Sequence, residues 1–83
     1  MVSYLFTFRS QTAAQSARKL LGREAIRAQL RRAPQQLSGF GCAWALSVNA
    51  ADGLRALGVL RRQNQPLLGA YRLFANGYWE AIP

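Results

Sequence analysis

Hydrophobic periodicity switches from two residues to 3.6 and back, twice, along this chain. That alternation leaves few folds open. Residues 2–8 set Val2, Tyr4, Phe6 and Phe8 against Ser3, Leu5 and Thr7, the period of a strand in a segment rich in β-formers. Ser10 then stands where an N-cap is expected, ahead of Ala13, Ala14, Ala17, Leu20 and Leu21. Those positions form one helical stripe, and Gly22 is expected to close it. The alanines let such a helix lie close to a sheet. From Ile26 the period of two returns, with Ile26, Ala28 and Leu30 set against Arg27, Gln29 and Arg31. This is the pattern of a half-exposed strand, and Pro34 ends it because proline donates nothing to a ladder and restricts its predecessor.

The second half repeats the scheme. Cys42, Trp44, Leu46 and Val48 share one side of a strand and Ala43, Ala45 and Ser47 the other. Neither side is strongly polar, so this strand is expected to lie inside the sheet. Asn49, with Asp52 three residues on, is the expected N-cap of a second helix. Leu54, Leu57 and Leu60 carry that helix to about residue 63, and Pro66 forbids its continuation. Residues 69–74 read as a fourth strand, Ala75-Asn76-Gly77 as a hairpin turn and residues 78–82 as a short fifth strand. The order predicts an α+β, ferredoxin-like β-α-β-β-α-β sandwich, with residues 1–83 in a single domain. Its antiparallel sheet carries two helices on one face and a short extra C-terminal strand. A fold shared by many activities does not itself assign one.

Function classes are narrowed by what the chain lacks. It has no histidine, one cysteine and three acids, Glu24, Asp52 and Glu80. Ser-His-Asp and Cys-His catalysis are therefore excluded, an intramolecular zinc site nearly so, and no metal or cofactor is expected. A lone cysteine forms no internal disulfide, which suits a reducing compartment. The first residues lack the basic start and cleavage site of a secretory signal, and no apolar run is long enough to span a bilayer. A cytoplasmic protein with no membrane association is expected. Ten arginines and one lysine give a formal charge of +8, which favours an acidic protein or nucleic acid as partner, although a compositional bias of the source accounts for it equally well.

Cys42 is the residue on which function turns. Gly39 and Gly41 can bring bare backbone amides around its sulfur, and Arg31 or Arg32 can supply positive charge from the preceding strand. These are the conditions that favour a reactive thiolate. Against this, free cysteine is among the most buried residue types, and its shared phase with Trp44 and Leu46 suits a small core residue. Spacing alone leaves both open. The glycine pair precedes a strand rather than opening a helix, so it does not read as a phosphate cradle. Arg27, Arg31 and Arg32, with Arg61 and Arg62, form a candidate basic patch. With Tyr4, Phe6, Tyr71 and Trp79 they allow single-stranded RNA binding by stacking, yet no RNP-like segment is present. The plainer expectation is that Arg27 and Arg31 guard an edge strand against pairing. An open sheet face on so small a domain is also consistent with a homodimer.

With these residues laid out, the chain resembles a small bacterial family of selenium/sulfur carrier-like proteins. The resemblance rests on Phe8-Arg9-Ser10 at the end of the first strand, on Pro34 and Leu37-Ser38 in the loop, and on Gly41-Cys42 leading into Ala43-Trp44-Ala45-Leu46. It implies a carrier rather than a classical enzyme. Cys42 would hold a persulfide or selenosulfide received from a sulfur or selenium donor protein such as a cysteine desulfurase. The alternative is a non-enzymatic basic interaction module in which Cys42 is structural.

Overall fold

The structure, a computed structural model, describes residues 3–33, 44–64 and 67–82. β1 (Ser3–Phe8) is the middle strand of a five-stranded sheet ordered β2 (Gln29–Arg32), β3 (Trp44–Asn49), β1, β4 (Gly69–Leu73), β5 (Trp79–Ala81). Every neighbouring pair is antiparallel. β1 and β2 are therefore parallel with β3 between them, and β3 and β4 are parallel with β1 between them. α1 (Gln11–Arg23) connects the first pair and α2 (Gly53–Arg62) the second. This is the ferredoxin-like sandwich that the order of periodicities predicts, with β5 added beside β4.

The alternation in β1 sorts its side chains as expected. Tyr4, Phe6 and Phe8 join Leu46, Val48 and Ala70 in one cluster with Ala14, Ala17 and Leu21 of α1 and Ala56, Leu57, Val59 and Leu60 of α2. The small residues of α1 bring its backbone close to the sheet, and the two helices share this one face. On the other face Leu5, Thr7 and Ala45 are also buried, so β1 and β3 are covered on both sides. Part of that cover is Tyr71. Its hydroxyl would come within 2.8 Å of any Cβ at position 69, so the phenol lies across Gly69. The buried Thr7 hydroxyl donates to the Gly69 carbonyl at 3.3 Å, which satisfies it.

Three boundaries differ from the sequence expectation, each for a local reason. Gly22 does not close α1. The helix runs to Arg23, and Ala25 takes the left-handed conformation at φ 61°. The Ile26 amide donates to the Leu21 carbonyl at 2.9 Å and the Ala25 amide to the Gly22 carbonyl at 3.1 Å. These are the paired bonds of a Schellman cap, and the hydrophobic contact that accompanies one is supplied by Ile26 and Leu21, both buried. Because Ile26 anchors the cap, β2 starts only at Gln29, although Ile26 and Ala28 keep their inward phase.

Asn49 does not cap α2. It is still in the ladder opposite Ser3, and Asp52 is the N-cap. The Asn49 side chain instead accepts from the Asp52 amide at 3.2 Å, holding the turn between strand and helix. Leu54 is 62% exposed, since the inward stripe of α2 is Gly53, Ala56, Leu57, Val59 and Leu60. The C-terminal hairpin follows its sequence signal. The Gly77 amide donates to the Phe74 carbonyl at 2.9 Å, Gly77 has φ 86°, and the Tyr78 amide bonds the Asn76 side chain at 3.0 Å. That is a three-residue loop closed by a left-handed glycine.

Ala25 offers a test of the first boundary. An L-residue in the left-handed region costs about 1 kcal/mol or more, a cost glycine avoids. Ala25→Gly is therefore expected to raise stability by about 0.5–1 kcal/mol in urea unfolding, even though glycine is ordinarily unfavourable near a helix. A loss of stability would show that the cap is not built on residue 25.

Candidate functional site

Cys42, Gly39 and Gly41 lie outside the described residues, so the site is built from the residues on either side. Arg31 and Arg32 end β2, and Trp44 begins β3. Arg32 pairs with Trp44 across the ladder, and Trp44 pairs in turn with Phe8. The Arg32 guanidinium carbon lies 5.2 Å from the Trp44 ring centroid, a cation–π contact that holds its charge at this end of the sheet. Arg31 pairs with Ala45 and faces the side away from the helices. Successive strand residues alternate, so the two arginines implicated by sequence serve opposite faces.

The same end of the sheet gathers further groups because of how the chain crosses it. β1 ends at Phe8, and Arg9 and Ser10 follow directly. The Ser10 hydroxyl accepts from the Ala13 amide at 3.1 Å and caps α1, as its position predicts. α2 arrives here with Arg61 and Arg62 in its last turn, where cations complement the negative end of the helix dipole. Leu68 re-enters beside β1, its amide donating to the Thr7 carbonyl at 2.9 Å. Arg9, Ser10, Ala13, Leu67 and Leu68 line one groove; Arg61, Asn64, Leu67, Gly69, Ala70 and Ile82 line another. Leu67 is common to both.

The basic patch expected from sequence is therefore divided. Arg31, Arg32, Arg61 and Arg62 stand at this end, joined by Arg9. Arg27 precedes β2 at the far end and lines a groove with Arg18, Gly22, Ala25, Ile26 and Ala28. Arg9 is the group that sequence reasoning did not count. Its signal was available, since it sits between a strand's last aromatic residue and a helix N-cap. The aromatics divide as well. Tyr4 and Phe6 are in the helix-side core and offer no ring face to a base, whereas Tyr71 and Trp79 stand on the opposite side of the sheet. The central strands present Leu5, Thr7, Ala45 and Ser47 on that side, with no aromatic among them. Among the described residues no group of three or more His, Cys, Asp or Glu side chains could hold a metal ion, and no helix is long and apolar enough to cross a membrane.

A family model described as "Putative Se/S carrier protein-like" matches residues 3–72. The chain belongs to this family. The match runs from the first residue of β1 into β4 and includes Cys42, while the β5 hairpin lies beyond it. No curated protein and no solved structure matches the chain. For this Se/S carrier-like chain, the family span thus takes in β1 to β3, most of β4, both helices and the arginine-bearing end.

Proposed function

We propose that this chain carries sulfur or selenium on Cys42, as a persulfide or selenosulfide. The observation that supports it most is family membership over a span that contains the chain's sole cysteine. A second support is the surroundings of the flanking residues. Trp44, two positions after Cys42, starts β3 beneath the Arg32 guanidinium, at an end that also bears Arg9, Arg61 and Arg62. Positive charge near a thiol favours its thiolate, the form that reacts.

The chemistry needs no histidine. The Cys42 thiolate attacks the terminal sulfur of a donor persulfide. A new S–S bond forms on Cys42 as the donor's S–S bond breaks, and the donor's inner sulfur leaves as a thiolate. The proton on the terminal sulfur stays with it or is lost to water, and there is no net oxidation. Release to an acceptor repeats the step with roles exchanged. The arginines of this end would stabilise the anionic terminal chalcogen between the two transfers. The protein would then work in a reducing cytoplasm with a donor protein such as a cysteine desulfurase.

Sulfur uptake tests the proposal. The folded chain exposed to inorganic polysulfide is expected to gain sulfur at Cys42, and Cys42→Ser to gain none under the same conditions.

A further inference from the structure

The three acids of this chain are not spread evenly. Glu24 is the C-cap of α1, Asp52 the N-cap of α2, and Glu80 lies in β5 opposite Arg72. All three belong to the half of the molecule where α1 ends and α2 begins. Two of them are engaged there: Asp52 bonds Arg55 at 3.2 Å and Glu80 bonds Arg72 at 3.1 Å. The other end holds Arg9, Arg31, Arg32, Arg61 and Arg62 and none of the three acids. A compositional excess of arginine explains the number of bases but not this division.

We infer that this end of the molecule is the docking surface for the acidic face of a protein partner. Arg61 and Arg62 have a local role at the C-terminus of α2, but Arg9 has the reverse. It immediately precedes the N-cap of α1, whose first turn contains no acid, where the positive end of the helix dipole disfavours a cation. Arg31 is exposed at the sheet's edge. Carboxylates of a partner would turn this repulsion into attraction, and arginine is the cation whose planar fork matches them in two parallel hydrogen bonds.

Apolar surface lies between Arg9 and Arg61, which each share a groove with Leu67: Leu68 is 51% exposed and Leu67 half-buried. Apolar side chains flanked by arginine are the make-up of a protein interface. A single-stranded nucleic acid would want open aromatic rings. Here Phe8 is fully buried and Trp44 lies under the Arg32 guanidinium. The partner's role, presenting a persulfide beside Cys42, rests on the carrier reading; the surface itself does not.

The test uses the full chain labelled with ¹⁵N and titrated at low salt with a short poly-L-glutamate. Amides of Ser10, Arg31, Arg32 and Leu68 are expected to shift while those of Arg23 and Arg55 stay in place. Reversing Arg9→Glu with Arg31→Glu should weaken binding by about tenfold or more, and reversing Arg18→Glu with Arg27→Glu by less than about threefold, although the change in net charge is equal. No binding by the parent chain, or equal weakening by both pairs, would overturn the assignment. So would an oligouridylate of equal charge that bound more tightly through Arg9 and Arg31, which would make this a nucleic-acid surface. Cys42→Ser should bind poly-glutamate like the parent, so a failure of sulfur loading and a failure of docking are read separately.

Discussion

Phe6→Ala is expected to lower stability by about 3–5 kcal/mol, the range for emptying a fully buried aromatic site. Phe6 has no exposed surface. It lies on β1, the strand flanked on both sides, and pairs with Leu46 on one neighbour and Ala70 on the other. The helix face above it is the shared cluster of α1 and α2. Neighbours so constrained can collapse only partly into the space a phenyl ring leaves. A chain of 83 residues has roughly 4–12 kcal/mol of total stability, so this one change removes a large share of it. Urea unfolding measures the effect, with the midpoint falling at an unchanged slope. A loss below about 1.5 kcal/mol would mean that the two layers do not meet at Phe6.

Gly53→Ala should destabilise where the same change five residues later should stabilise. Gly53 is the first residue of α2 and is buried, and a Cβ there would fall within the Tyr4 ring. The ring is not free to swing aside, because the Arg72 guanidinium lies 5.6 Å from its centroid and is itself bonded to Glu80. Overpacking of this kind costs about 1–3 kcal/mol, occasionally more. Gly58, in the middle of the same helix, has nothing within 4 Å of a built Cβ. Gly58→Ala should therefore return the helix-propensity gain of about 0.5–1 kcal/mol. Opposite signs for the two changes are the expected result. A gain at both would show that Tyr4 does not pack against the start of α2.

Most of the architecture was readable from periodicity, because each strand and helix buries one side and the period records which. The hairpin was readable because Gly77 supplies the left-handed residue its turn requires. What escaped has a common cause: special backbone positions were sought in the residue types that favour them. Gly22 looked like a helix cap, but the cap's hydrophobic contact is made by Leu21 and Ile26, and that places the left-handed residue at Ala25. Asn49 looked like an N-cap, but its ladder pairing with Ser3 held it in β3 and moved the cap to Asp52.

The candidate site was readable in part. Arg31 and Arg32 adjoin the cysteine segment in the chain, so sequence reaches them. Arg61 and Arg62 were grouped with them by charge and do stand at the same end, in the last turn of α2; Arg9, uncounted, joins them because β1 ends beside the N-cap of α1. Arg27 was grouped with them by charge and is separated from them by the length of β2.

The central claim is that Cys42 is a working thiol, and the intact mass of the folded chain after brief exposure to inorganic polysulfide tests it most directly. The expected result is a gain of one or more sulfur atoms on the parent chain, none on Cys42→Ser, and reversal to the starting mass by a thiol reductant. A folded chain whose mass does not change, and whose cysteine reacts with iodoacetamide only after unfolding, would contradict it and leave Cys42 as a small residue of the core.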